Sequence, residues 1–353
     1  MNIPTITSTA NATLSAQLDI AINNKTKPLG SLGVLETLAK QIGLIQQTNQ
    51  PQISNPCIMV FAGDHGVVAE NISAFPQSVT WQMVENFLAG GAAINVFARQ
   101  NGCALRIVDA GVNHDFGPRD GLLDRKVMHG TRNFAKEKAM SAAQCTQAMQ
   151  HGVNLVTDLA TDMSAESSCN TIGFGEMGIG NTTVAAAIMH AITGLPSAQC
   201  VGAGTGLPKE GVVHKAAVVS VAVAYHAAKE PLDILAALGG CEISMMVGAM
   251  LAAAERRMVI LVDGFIVTSA VLVAVRLQPA VLDYCVFTHC SDEHGHRQML
   301  ACLDARPLLQ MDLRLGEGTG SALALPLVEA AVNFLNQMAT FESAAVSQQD
   351  TTN

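Results

Sequence analysis

Charge is scarce in this sequence. Only 14% of the 353 residues are charged, and 29 acidic residues outnumber 20 lysines and arginines, which gives a formal net charge of -9. Without a basic excess the protein lacks the field that attracts polyanions, so nucleic acid is not an expected partner. Hydrophobic residues make up 49% of the chain, which excludes a largely disordered protein. The composition is typical of a compact enzyme or oligomer.

Paired cysteines and long apolar runs are also missing. The nine cysteines include no Cys-x-x-Cys pair, and several stand in apolar runs, which indicates reduced thiols in a cytoplasmic protein. The N-terminal segment has no basic start followed by an apolar block, so we expect no signal peptide. The most apolar segment, 259–275, is interrupted by Asp263 and Gly264. It fits a strand, a turn and a helix, and we predict no membrane span.

The chain does contain short β-branched runs that alternate with longer, alanine-rich stretches. This alternation predicts an α/β fold in which helices cover both faces of a parallel sheet. The predicted strands begin near Cys57, Ala104, Thr171, Gln199, Met258 and Tyr284.

Polar residues stand at the ends of most of these strands. Ligands of open α/β sheets gather at the carboxyl ends of the strands, so residues there are candidates for a site. An equally good explanation is that each one caps the helix that follows, since Asp is a favourable N-cap. The candidates are Asp64, His65, Asp109, Glu176, Asp263 and His289.

The two ends of the chain have a helical pattern instead. Leucines and an isoleucine recur at helical spacing after Ser31, and 325–341 reads as another amphipathic helix. We predict that residues 1–50 and 327–353 pack together as a small helical domain. Residues 51–326 would then form the large α/β domain.

Two glycine-rich turns predict an anion cradle. Gly178 and Gly180 precede Asn181 and Thr182 at the start of an alanine-rich stretch, where free backbone N–H groups at a helix N-terminus can hold a phosphate. A tight turn with an Asn or Thr cap would look the same. The second turn, 202–206, is followed by Lys215, which would neutralise a phosphate or, alternatively, be a solvated surface residue.

The third glycine turn contains a carboxylate. Glu317 lies between Gly316 and Gly318, ahead of an apolar stretch, although burying an unpaired charge is costly. The three turns together favour a pocket of mononucleotide size.

Two further clusters have ordinary explanations. His289, His294 and His296 lie close together, but they lack the spaced cysteines or carboxylates of a zinc site, so we favour a polar loop and no metal. Phe75 and Met83 flank Trp81; core packing is the default explanation, although a flat heteroaromatic ligand would use the same surface.

Six unusual motifs occur together and span nearly the whole chain. They are KPLGSLG, GDHGV, FGEMGIGNTT, VDGFIVTSA, HCSDEHGH and LRLGEGTGSALALPL. In these motifs the sequence resembles the nicotinate-nucleotide:dimethylbenzimidazole phosphoribosyltransferases. The resemblance implies a Rossmann-like sheet, a small domain built from both termini, a homodimer and no cofactor.

The same resemblance implies a reaction. Phosphoribose would pass from nicotinate mononucleotide to 5,6-dimethylbenzimidazole, giving α-ribazole 5′-phosphate and nicotinate with inversion at the anomeric carbon. Glu317 matches the general base of the family. Glu176 and Asp263 would be further catalytic residues: Glu176 would line the ribose or nicotinate side, and Asp263 would assist electrostatically or, alternatively, cap a helix or anchor neighbouring backbone. The phosphoribosyl group would be bound by Gly178, Gly180, Asn181, Thr182, Gly204, Lys215, Ser291 and Gly318, and the base by Phe75, Met83 and Leu315.

Other classes of protein remain alternatives. A ribotide hydrolase would release nicotinate without an acceptor, and a phosphoribosyltransferase that uses the pyrophosphate donor would carry an acidic strand end followed by a Thr/Gly loop. A non-catalytic protein that binds an aromatic base or ribotide would have no need of Glu317.

Overall fold

A parallel sheet of six strands forms the centre of the molecule. The computed structural model describes residues 3–161 and 168–347, and the strand order is β3-β2-β1-β4-β5-β6. This is the strand order of a doubly wound Rossmann sheet. The chain adds strands toward one edge of the sheet from β1 to β3 and toward the other edge from β4 to β6, so the order reverses between β1 and β4. The strands are Cys57–Gly63 (β1), Ala104–Gly111 (β2), Leu122–Asp124 (β3), Thr171–Met177 (β4), Val259–Val262 (β5) and Cys285–Phe287 (β6).

Helices lie between the strands and cover both faces of the sheet, so the predicted α/β class is confirmed. The strands β1 and β5 are buried along their whole length, which explains why they are apolar without alternation. The helices are Ala12–Asn23 (α1), Val34–Gln46 (α2), Val79–Leu88 (α3), Ala93–Gln100 (α4), Ala142–Ala160 (α5), Asn181–Thr193 (α6), Ser197–Cys200 (α7), Lys209–His226 (α8), Pro231–Leu238 (α9), Cys241–Glu255 (α10), Phe265–Leu277 (α11), His296–Cys302 (α12) and Thr319–Gln337 (α13), with 3-10 turns at Gly66–Glu70 and Pro279–Tyr284.

The strand predicted near Gln199 is wrong. Residues Ser197–Cys200 form the short helix α7, which begins directly after Pro196. Proline fixes φ near the helical value and is favourable at the start of a helix, and this outweighs the apolar run that suggested a strand. The other five predicted strands are present. Strand β3 was not predicted, because three residues are too few to show the alternation of apolar and polar residues that identifies a strand.

The apolar segment after residue 258 folds as a buried strand, a turn and a buried helix. Strand β5 ends at Val262, and α11 begins at Phe265 after the predicted interruption. Within residues 3–161 and 168–347, no helix has the length and apolarity needed to cross a bilayer.

The two chain ends contact each other. The backbone N–H of Thr26 donates to the carbonyl of Ala339 at 3.0 Å, and Nζ of Lys25 donates to the carbonyl of Met338 at 2.7 Å. Helix α13 packs on α2 and also reaches β4 and β5, so it crosses the predicted boundary at 326/327. The two-domain division stays a prediction. Residues 348–353, which belong to the predicted helical domain, lie outside the described part of the chain.

Candidate active site

A cavity of about 670 Å³, open to solvent, lies beyond the carboxyl ends of β4, β5 and β6. This is the edge of an open α/β sheet at which ligands are expected. The cavity brings together eight of the residues that sequence analysis predicted for a site. They are Glu176, Gly178, Asn181, Thr182, Gly204, His289, Ser291 and Leu315.

The remaining predicted residues lie behind the lining or away from it. Gly180 caps helix α6 with φ +96°, and Gly318 caps α13 with φ +83°. Phe75 is 48% exposed and Met83 packs against the hydrophobic core, and neither one lines the cavity. Their assignment to base binding stays a prediction.

Glu176 projects from the end of β4 into the cavity and is buried. Its carboxylate accepts a hydrogen bond from the side-chain amide of Asn181, the first residue of α6. Burial raises the pKa of Glu176 to about 8, and the nearby carboxylates of Asp263, Glu242 and Glu317 contribute to this rise. At neutral pH and without a ligand, Glu176 is therefore protonated in a large fraction of the protein molecules.

Asp263 holds the third glycine turn. Its Oδ2 accepts the N–H of Gly318 at 3.0 Å and its Oδ1 accepts the N–H of Gly320 at 2.7 Å. Burial raises the pKa of Asp263 to about 7 although these amides oppose the shift. Asp263 thus anchors the N-terminus of α13, whereas the strand-end alternative was a cap on the helix that follows it, α11. Its catalytic assignment stays a prediction.

Glu317 occupies the left-handed conformation with φ +64° and is buried. Its Oε2 accepts a long hydrogen bond of 3.4 Å from the N–H of Ile94, at the N-terminus of α4. Burial raises the pKa of Glu317, and the Ile94 N–H opposes this only in part. A carboxylate with one weak partner and a raised pKa retains an oxygen that can accept a proton.

Gly316, in the third glycine turn, and Gly175, in β4, are glycines for a steric reason. A side chain at Gly316 would collide with Oε1 of Glu176, and one at Gly175 would collide with the backbone of Glu317. The third glycine turn and the end of β4 are therefore in direct contact. Glu176 and Gly316 line the cavity, whereas the buried carboxylate of Glu317 is not part of the lining.

Lys215 is only 1% exposed, so the alternative of a solvated surface lysine is wrong. Its Nζ donates to Oγ1 of Thr182 at 2.7 Å, and thus reaches across to the first glycine turn. Burial lowers the pKa of Lys215 to about 8, and Glu293 opposes this shift. A buried ammonium beside two glycine turns is suited to an anionic ligand group.

Sequence analysis missed three residues that belong to this site. Glu293 accepts the N–H of Gly204 with both carboxylate oxygens, at 3.2 Å and 3.1 Å. Arg314 lines the mouth of the cavity and is exposed. Glu242 lies 3.1 Å from Nε2 of His65, and both side chains are fully buried. Glu293 and Arg314 had a sequence signal, since they lie in the motifs HCSDEHGH and LRLGEGTGSALALPL, whereas Glu242 had none.

The three histidines of that motif separate in the structure. His294 is exposed, whereas His289 and His296 are buried, so the predicted polar loop is correct only for His294. Among the residues that the structure describes, no three His, Cys, Asp or Glu side chains are placed to hold one metal ion.

The fold and the cavity define a class: a doubly wound α/β protein with an anion cradle and buried carboxylates at its strand ends, as in enzymes that act on nucleotides. Comparison with known proteins makes this specific. The chain belongs to the family described as Phosphoribosyltransferase, whose model matches residues 7–346. The resemblance stated from the motifs is thereby confirmed, and the protein is an enzyme of the phosphoribosyltransferase class.

Individual relatives are similar over nearly the whole chain. A nicotinate-nucleotide--dimethylbenzimidazole phosphoribosyltransferase of Janthinobacterium sp. (strain Marseille) is 72% identical and covers 98% of this chain and 99% of its own. The protein of the same name from Dechloromonas aromatica (strain RCB) is 58% identical over 96% of this chain and 97% of its own. The crystal structure of CobT from Thermus thermophilus superposes with a TM-score of 0.91, at 41% identity, over 96% of this chain and 100% of that chain.

Proposed function

We propose that the protein transfers phosphoribose from nicotinate mononucleotide to 5,6-dimethylbenzimidazole, giving α-ribazole 5′-phosphate and nicotinate. The printed names of the relatives support this pair of substrates. The observation that carries it is Glu317, a buried carboxylate with a single weak hydrogen bond that directly follows Leu315 and Gly316, two residues of the cavity lining that also contains the glycine turns. A protein that only binds a ribotide has no use for such a group.

The chemistry balances without a further co-reactant. The bond from the anomeric carbon to the pyridinium nitrogen breaks and its electron pair neutralises that nitrogen, so nicotinate leaves as a stable ring. One benzimidazole nitrogen forms the new bond on the opposite face, which inverts the configuration. The other nitrogen loses its proton to Glu317, whose raised pKa suits it to this transfer.

The donor is held by its phosphate. Lys215 supplies a buried positive charge, while the turn at Gly178 and Gly180, with Thr182, supplies amides and a hydroxyl. Ser291 and Gly204 line the same cavity and would complete the cradle. Fixing both rings at one anomeric carbon converts a two-substrate reaction into one between positioned neighbours.

Two further properties are part of the proposal. We expect a cytoplasmic enzyme, because the cysteines within the described ranges are all free and all but Cys302 are buried. We also expect a homodimer, in agreement with the low charge content of the chain.

The test is to incubate the protein with nicotinate mononucleotide, with and without 5,6-dimethylbenzimidazole, and to measure nicotinate and the ribotide product. Nicotinate release that depends on the acceptor, with an α-ribotide as product, is the expected result. Release at the same rate without acceptor would indicate a hydrolase, and binding without release would indicate a non-catalytic protein.

A further inference from the structure

His296 has no role in the proposed reaction, yet it is among the most buried polar residues of the site region. It is the first residue of α12, its exposed fraction is 0%, and it does not line the cavity. The structure must therefore satisfy its two ring nitrogens internally, since a buried polar group without a partner is costly.

Both nitrogens have partners at good distance. Nδ1 accepts the backbone N–H of Ser291 at 2.8 Å. Nε2 lies 2.9 Å from Oγ1 of Thr268, and that hydroxyl donates its own proton to the carbonyl of Gly264 at 2.8 Å. The ring thus connects the loop after β6 with the turn after β5.

The directions of these bonds fix the tautomer. A backbone N–H can only donate, so Nδ1 of His296 must carry the lone pair. The proton of Thr268 is used on Gly264, so Nε2 must carry the hydrogen and donate to Oγ1. The ring is consequently neutral, with its hydrogen on Nε2.

The residues that this chain of hydrogen bonds connects are part of the cavity. Gly264 and Ser291 both line it, and they follow neighbouring strands of the sheet. The titratable group that faces the ring is His289, whose centroid lies 6.3 Å away and whose Nδ1 lies 3.5 Å from Asp263. Burial lowers the pKa of His289 to about 4 and that of His296 to about 3, in agreement with two neutral rings.

We infer that His296 is a positioning residue for the phosphoribosyl donor: its neutral ring holds the Gly264 turn and the Ser291 backbone at a fixed separation. This inference rests on the proposed function, because it assigns Ser291 to the donor and not to the benzimidazole. It predicts that His296 affects the binding of nicotinate mononucleotide and leaves the binding of the base unchanged.

The experiment compares His296→Gln with His296→Asn. The carbonyl oxygen of asparagine takes the place of Nδ1 and can still accept the Ser291 N–H, whereas glutamine reaches only toward Thr268. Isothermal titration with each substrate alone should show that His296→Gln weakens the binding of nicotinate mononucleotide by about tenfold or more, the cost of an unpaired buried amide. The affinity of His296→Asn for nicotinate mononucleotide should stay within about threefold of the native value. The affinity for dimethylbenzimidazole should be the same in all variants.

His190→Gln serves as the matched control, because Nδ1 of His190 donates a single hydrogen bond to the carbonyl of Leu195, just beyond the C-terminal end of α6. It should not change the affinity for either substrate. Equal losses for both substrates in His296→Gln and His296→Asn, together with a lowered melting temperature, would show a purely structural role and overturn the inference.

Two-bond ¹⁵N–¹H correlation spectra of the native protein give a readout independent of activity. They should show His296 with its hydrogen on Nε2 and no titration between about pH 5.5 and 8, a range in which an ordinary histidine titrates. A hydrogen on Nδ1, or a titrating ring, would overturn the inference. A further outcome separates the inference from the proposed function. If the native protein has this tautomer and His296→Gln selectively loses donor affinity, but the native protein does not transfer phosphoribose to the base, the proposed reaction is refuted and the inference is retained.

Discussion

The two walls of the cavity differ in charge and in how that charge is held. Glu176, which lines the cavity, forms the acidic wall together with Asp263 and Glu317, which are buried and lie outside the lining, and burial raises the pKa of each of the three. Lys215 and the amides of the glycine turns form the donor wall, and burial lowers the pKa of Lys215. Each wall thus carries groups whose charged forms are costly in the empty protein. A ligand with a phosphate at one end and a proton to release at the other compensates both costs.

The acidic wall is itself divided. Asp263 accepts two short amide hydrogen bonds, at 3.0 Å and 2.7 Å, whereas Glu317 accepts one of 3.4 Å. The first carboxylate is committed to the backbone of α13, and the second is free to react. The pair shows that burial alone does not identify a catalytic acid or base; the number of hydrogen bonds already accepted is decisive.

The largest expected effect comes from Glu317→Gln. The amide cannot accept the proton of the benzimidazole, so kcat should fall by about 10²-fold or more, while the affinity for nicotinate mononucleotide stays near the native value. Steady-state kinetics and titration with the donor alone measure the two quantities. Turnover close to native would remove the functional distinction between Glu317 and Asp263.

Lys215→Met tests the donor wall. Loss of the buried positive charge should raise the KM for nicotinate mononucleotide by about 10- to 100-fold and leave the KM for the base unchanged. Since the pKa of Lys215 is about 8, donor affinity of the native protein should fall as pH rises above this value, and this fall should be absent in the variant. An equal rise in KM for both substrates would contradict the hypothesis that the donor wall binds only the donor.

Glu176→Gln should make the empty protein more stable at alkaline pH. The folded-state pKa of about 8 lies above the ordinary value of 4.5, so the folded protein binds more protons than the unfolded one between these values, and native stability falls as pH rises through this window. At about pH 8 the variant should gain at least about 1 kcal/mol in unfolding free energy, and near pH 4.5 the gain should vanish. Urea unfolding at both pH values measures it. A variant equally or less stable at the higher pH would show that Glu176 is not destabilised by burial.

The smallest effect is expected for a residue that would contact the dimethylbenzimidazole ring. Leu315→Ala should raise the KM for dimethylbenzimidazole by about fourfold, which corresponds to the loss of about one buried methylene, because Leu315 lines the cavity and is 57% exposed. Phe75→Ala is the comparison, since Phe75 lies outside the lining. An effect of Phe75→Ala that exceeds that of Leu315→Ala would place the base on the surface around Phe75 instead.

The fold was predictable where local patterns and burial agree. Five strands and the interrupted apolar segment at 259–275 have the predicted form, and the signal was clearest for β1 and β5, because fully buried parallel strands must be apolar throughout. The pattern failed at Ser197–Cys200, where Pro196 starts a helix, and at β3, which is too short to show a period. The glycine turns identified most of the cavity lining, since backbone that approaches a ligand or another turn closely excludes side chains.

The sequence by itself determined the α/β class, the three glycine turns and the placement of Glu317 between two glycines. It did not determine which polar residues are buried, and so Lys215 and Asp263 kept two explanations each. Only the tertiary structure decided that Lys215 is buried against Thr182, that Asp263 holds the amides of α13, and that Glu293 and His296 accept the backbone N–H groups of Gly204 and Ser291. The physical reason is that desolvation and hydrogen bonding depend on neighbours far apart in the chain, and local sequence patterns do not contain those neighbours.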